Sequence, residues 1–209
     1  MNGLENKPYL DYSEYVDTEY LHNNREKVIT GIANCGLQTW KMTGSFCNVL
    51  DSIDEKHYKM RHHRGIEYDL SNVEHRQIFE QLYFELYNVG HYKELMQNYE
   101  YTDTFKEHFS FMEDFFDSLP FKSIREILLM VQVAGTETLI HRDPGHLNPD
   151  RFIYIRPDLR KPFFIYDEDT NEKHYVNTLA AEWSWDDWHG ADQIPYAAYA
   201  FKVKGEFDI

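Results

Sequence analysis

Between residues 127 and 204 the chain offers a succession of short apolar or alternating segments, near 127–133, 138–141, 151–156, 162–166, 174–179 and 197–204, separated by Pro, Gly, Asp and Asn. Runs of this length with turn residues between them read as strands. Helical patterns precede them. In EHRQIFEQLYFELYNVG, Ile78, Leu82, Phe84, Leu86 and Val89 approximate one helical stripe, and Gly90 stops it. A second helix is expected where Thr104 and Glu107 form a capping box and Phe105, Phe109, Met112, Phe116 and Leu119 follow at helical spacing, up to Pro120. Helices first and many strands after is an α+β order, mainly β. A small antiparallel barrel or jelly roll backed by helices satisfies it. The expected organisation is a single domain over 1–209, with 1–125 as a helical and irregular buttress and 126–209 as the core.

The N-terminal half is less regular. Residues 1–30 read as irregular or short helical structure on the surface. QTWKMTGSFCNV, residues 38–49, suits a strand pair turning at Gly44, and 52–66 is a polar stretch. No apolar run reaches the roughly 18 to 20 residues of a membrane span. The opening MNGLENKPYLDY lacks the pattern of a signal peptide, so a cytoplasmic protein without membrane attachment is expected. A net charge of −15 repels phosphate backbones and argues against nucleic acid as a partner. Cys35 and Cys47 lack CxxC spacing and are expected as reduced thiols. His57, His62 and His63 lie among Lys and Arg with no carboxylate at ligand spacing, and are expected to be solvated.

The chemistry is concentrated in VQVAGTETLIHRDPGHLNPDRFIYIRP, residues 131–157. A strand running into His141-Arg142-Asp143 points His141 and Asp143 to one side and Arg142 to the other. An imidazole beside a carboxylate supplies two ligands of a 2-His-1-carboxylate triad, which leaves open positions on Fe(II). His189 in WSWDDWHGAD, 46 positions after Asp143, is the best third ligand, with Gly190 allowing a tight turn beside it. His174 is the rival.

These features resemble the Fe(II)/2-oxoglutarate-dependent dioxygenases, within them the aspartyl/asparaginyl β-hydroxylase-like and prolyl-hydroxylase-like members. AGTETLIHRDPG, the arginine opening RFIYI, and WHGAD before YAFKVKG carry the resemblance, over roughly the C-terminal 80 residues. Animal aspartyl β-hydroxylases lack the carboxylate ligand, whereas Asp143 is present here. The resemblance implies a double-stranded β-helix (cupin-like jelly roll). It also implies Fe(II) held by His141, Asp143 and His189, 2-oxoglutarate as co-substrate, O2 as oxidant, and release of succinate and CO2. The expected reaction is hydroxylation of an amino acid, peptide side chain or small metabolite. Such a site needs a cation for the far carboxylate of 2-oxoglutarate. No Arg follows His189, so Arg151 is the first candidate and Lys202 the second. Arg156 is weaker, and Tyr199, Tyr154, Trp185, Trp188 and Asn148 are possible lining residues. Substrate is expected to enter past the loops 144–150 and 183–190.

Other readings stay open. HRDPGHLN matches the kinase pattern HRDxxxxN, but there is no Gly-rich loop, VAIK-like strand or DFG, and 66 residues after Asp143 are too few for a kinase lobe. A cupin-like metal enzyme that does not use 2-oxoglutarate, or a non-catalytic jelly-roll binding protein, would keep the same strand pattern.

Overall fold

A computed structural model describes residues 7–34, 92–97, 99–132, 134–135, 137–143 and 150–209. The expected helix over 78–89, the strand pair over 38–49, both cysteines, the 57–63 histidine cluster and Asn148 lie outside the described residues.

The described chain is mainly antiparallel β with few helices. Strands β1 (Leu10–Asp11), β2 (Tyr92–Glu94), β5 (Phe121–Gln132), β7 (Arg151–Ile155), β10 (Ala180–Glu182) and β12 (Ala198–Phe207) form a six-stranded sheet in the order β1-β10-β7-β12-β5-β2. Strands β6 (Thr138–His141), β8 (Phe163–Asp167), β9 (Glu172–Tyr175) and β11 (Trp188–Ala191) form a four-stranded sheet in the order β6-β11-β8-β9. A small ladder joins β3 (Met96–Gln97) to β4 (Glu100–Tyr101). From β5 to β12 the chain alternates between the two large sheets at every step except the β8–β9 hairpin.

The period-2 pattern of the central strands sorts their side chains into two cores. In β12, Tyr199, Phe201 and Val203 face one way with Ile153 and Ile155 of β7. They pack under α1 (Thr18–Asn34), α2 (Asp103–His108) and α3 (Glu113–Asp117), with Leu21, Val28, Phe105, Phe109 and Phe116 buried at the junction. Ala200 of β12 and Phe152 and Tyr154 of β7 face the other way. There they meet Phe163 and Ile165 of β8, Ala191 of β11 and Trp183, which fill the space between the sheets. The three layers are therefore helices, large sheet and small sheet, and the candidate site lies between the sheets.

Two local expectations are corrected. Residues 18–34 form a regular helix that buries Leu21, Asn24, Val28 and Gly31, so part of the supposed surface segment is core. Residues 10–11 add a strand to the large sheet. The expected helix over 104–119 is split into α2, a 3-10 turn at Ser110–Met112 and α3, yet Phe105, Phe109, Met112, Phe116 and Leu119 are all buried. The stripe was legible because burial decides it, and the break was not. The N-cap is Thr102, whose hydroxyl accepts from the Phe105 amide at 3.2 Å, in place of Thr104. Thr102→Ala is expected to cost about 1 kcal/mol in a denaturant titration, the usual value for a lost cap. An unchanged midpoint would show that tertiary packing alone holds α2.

The strands between the sheets differ from expectation in two places. The strand expected near 174–179 ends at Tyr175 as part of β9 (Glu172–Tyr175), and the next strand, β10, begins at Ala180 in the other sheet. WHGA is itself a strand, β11, with Gly190 inside it opposite Phe164; no turn forms at Gly190.

Candidate metal centre

His141 is the last residue of β6, and Asp143 lies two positions beyond the strand end. His189 sits in β11 directly across from His141 in the antiparallel register, and the two rings are 4.4 Å apart between centroids. Ligand atoms of His141, Asp143 and His189 all lie within 4.8 Å of one another. Asp143 Oδ2 is 3.8 Å from His189 Nε2. Two residues adjacent in register, plus a third at i+2, thus bring three donor side chains to one point. Arg142 turns to the other side, where its guanidinium stacks 5.0 Å from the Trp188 ring.

The second nitrogen of His189 fixes its orientation. Nδ1 donates to the Asp187 carbonyl at 2.9 Å, so Nε2 is left with its lone pair toward Asp143. A backbone carbonyl on the far ring nitrogen is the usual support of a metal-binding histidine. Burial, with the neighbouring His141 adding to it, pushes the His189 pKa down to about 3, so the ring is neutral and available as a donor. Burial alone would raise the Asp143 pKa, but the Lys202 ammonium beside it outweighs that and holds the carboxyl well below the usual carboxylate range. Two imidazoles and an anionic carboxylate fit a divalent first-row metal such as Fe(II).

Aromatic rings wall this group. The ring centroid of Trp183 is 5.1 Å and that of Phe163 5.8 Å from that of His189. Trp185 is pinned by its indole N–H donating to the Asp150 carbonyl at 2.9 Å. Trp183, Phe152 and Phe163 were not singled out from the sequence. The signal for Trp183 and Trp185 was the alternation in WSW, which sends both rings to one side.

The cations fall differently from expectation. Lys202 is 5% exposed and its ammonium pairs with Asp143 Oδ2. Its Nζ lies 4.1 Å from the Trp185 ring centroid, 4.4 Å from Phe152 and 5.6 Å from Trp183. Burial lowers its pKa, and the Asp143 carboxylate opposes that fall. Lys204 shares this strand face, as alternation required, but pairs with Glu126.

Arg151 does not join the group. Strand alternation places it with Ile153 and Ile155, on the opposite face of the large sheet from Lys202. There its guanidinium grips Glu182 with two bonds, 2.9 Å and 2.6 Å, also reaches the Tyr12 hydroxyl, and lies 4.2 Å over the Phe207 ring. Tyr199 shares that wrong face and is buried with Phe201 and Val203, so it does not line the centre either. Arg156 has the correct parity but is locked at the other end of its strand, donating to the carbonyls of Lys161, Val176 and Thr178. His174 is on β9, beyond Ile165 from His189, with a side chain 41% exposed and 4.0 Å from Asp167. Arg151→Ala is expected to leave Mn(II) affinity within about twofold of wild type while lowering the melting temperature, since a half-exposed ion pair on the far face contributes only to stability. A large loss of Mn(II) binding in isothermal titration, with the fold intact, would restore Arg151 to the site.

No protein-family model matches the chain, and no curated protein matches it. Solved structures that resemble it include an oxidoreductase of the 2OG-Fe(II) oxygenase family from Burkholderia pseudomallei. It is 10% identical with a TM-score of 0.38, over 56% of this chain and 70% of that one. AviO1 from Streptomyces viridochromogenes Tue57 is 13% identical with a TM-score of 0.38, over 90% of this chain and 82% of that one. Likenesses this distant decide neither the family nor the activity. No described helix is long and apolar enough to cross a membrane.

Proposed function

We propose that the chain is an Fe(II)- and 2-oxoglutarate-dependent oxygenase built on a double-stranded β-helix. The observation that carries this reading is the meeting of His141, Asp143 and His189 at one point between the sheets, with the far nitrogen of His189 held by a carbonyl. The alternation of strands between two facing sheets from β5 to β12 supports the jelly-roll assignment.

His141, Asp143 and His189 hold the metal. When bound, Fe(II) with 2-oxoglutarate and O2 supplies the oxidising chemistry, and succinate and CO2 leave. The chain's own residues do the rest. His189 presents an unprotonated Nε2 because its Nδ1–H donates to the Asp187 carbonyl and burial keeps the ring neutral. Asp143 stays anionic because the Lys202 ammonium stabilises its charge. Trp183, Phe163 and Phe152 keep water from the buried side of the group. Lys202 is the cation nearest the ligands among the described residues, and it takes the role of carboxylate partner for the co-substrate in place of Arg151. The substrate we assign is an amino acid, a peptide side chain or a small polar metabolite, hydroxylated at carbon, as in the aspartyl/asparaginyl and prolyl hydroxylase-like branch.

Anaerobic reconstitution with Fe(II) and 2-oxoglutarate tests this. A weak visible charge-transfer band is expected, and succinate forms once air and a substrate from an amino-acid and peptide panel are added. Iron binding without the band and without succinate would favour the cupin-like enzyme that does not use 2-oxoglutarate. No iron binding at all would leave a non-catalytic jelly roll.

A further inference from the structure

Lys202 stands in an unusual place for a co-substrate anchor, because its ammonium rests on the carboxylate that the metal itself requires. The residue is 5% exposed, and rings of Phe152 and Trp185 flank the Nζ at 4.4 and 4.1 Å. Cation–π attraction of this kind adds to the Asp143 ion pair in favouring the ammonium there. Part of the hold on the charge therefore remains when a second cation takes Asp143. A divalent ion entering there meets a fixed positive charge in a poorly screened setting, and the repulsion opposes binding. An incoming dicarboxylate removes that conflict, since it brings negative charge to both cations.

We propose that Lys202 is a resident counter-cation of Asp143 that keeps metal affinity low until 2-oxoglutarate arrives, so that metal and co-substrate bind with positive coupling. This rests on the metal-centre reading above. Coupling is reciprocal: if 2-oxoglutarate tightens metal binding, metal tightens 2-oxoglutarate binding by the same factor. A metal-loaded centre is then scarce without co-substrate, which limits idle reaction with O2. Lys204 does not duplicate the role, because its ammonium is engaged by Glu126.

The test uses Mn(II) as a redox-quiet probe, titrated calorimetrically into the full chain with and without 2-oxoglutarate. Wild type is compared with Lys202→Met, which keeps length and loses charge, and with Lys202→Gln, which also keeps a hydrogen-bond donor should the methionine variant fail to fold. Both variants are expected to bind Mn(II) alone about tenfold more tightly than wild type. The enhancement by 2-oxoglutarate, about tenfold in wild type, should fall below about twofold in both. Mn(II) affinity equal to or weaker than wild type in the folded variants, or an undiminished enhancement, overturns the proposal. His189→Ala separates the two levels. If wild type binds Mn(II) no better than His189→Ala, the metal centre falls and takes this inference with it. If binding depends on His189 but the Lys202 variants are no tighter, the role of Lys202 alone falls.

Discussion

His189→Ala protein is expected to emerge folded, free of iron and inactive. His189 supplies one of three donors, and its loss leaves His141 and Asp143, a pair too weak to retain a divalent ion through purification. Even an outer-shell partner of a metal ligand costs ten- to a hundredfold in affinity, so removing a ligand should cost at least about a hundredfold. The fold should survive, because the rest of the second core, Phe152, Tyr154, Phe163, Ile165 and Trp183, stays in place. The vacated ring volume costs about 2 kcal/mol, within the range for a truncation that leaves a cavity. Iron content by atomic emission and succinate release decide the matter together. An iron-replete and active His189→Ala protein would end the metal assignment, whatever the fold.

The largest expected loss of stability comes from Gly205→Ala. Gly205 sits where β12 slips register against β5, between Lys204 opposite Glu126 and Glu206 opposite Ser123. A methyl group there would be driven into the carbonyl oxygen of Ser123 and would also stand 3.1 Å from Ile124 Cα and from the Phe121 ring. Two of these three obstacles are backbone inside a paired strand, so they cannot turn aside as a side-chain tip would. Overpacking against such walls costs about 3 kcal/mol. In a chain of this size that lowers the melting temperature by about 6 to 12 °C. A shift under about 2 °C would show that the bulge can relax. Gly205 is not among the residues that meet at the metal group and its obstacles all lie on β5, so activity per folded molecule should be retained.

Sequence reasoning located β5, β6, β7, β8 and β12 and named the three converging side chains, but it ranked Arg151 above Lys202. His141 and Asp143 were legible because a strand period of two leaves few options, and His189 because an antiparallel partner had to come from far along the chain. The same period, applied to RFIYI, would have turned Arg151 away from Phe152 and Tyr154. The error was to weigh the position of the arginine in sequence above the parity of its neighbours. Its true partner, Glu182, lies in β10 (Ala180–Glu182), a strand that was not expected from the sequence, so the ion pair could not be foreseen. The break in the helix after His108 was illegible for a different reason. Phe109 and Met112 are buried whether the backbone between them is α or 3-10, so the apolar stripe is insensitive to the change.

Leu10 and Asp11 pair with Glu182 and Ala181, and Tyr12 is bonded to Glu182 across 170 positions of chain. A ribosome adding about 5 to 20 residues per second needs about 10 to 30 seconds to cover that span. Throughout that interval β1 lacks β10, the strand it pairs with among the described residues. Its aromatic residues Tyr9 and Tyr12, which end up shielded, are exposed to whatever else the cell offers. Nascent chains should therefore depend on holding chaperones more than refolding full-length protein does, and a circular permutant that places residues 7–34 after 209 should reach the native state sooner in translation.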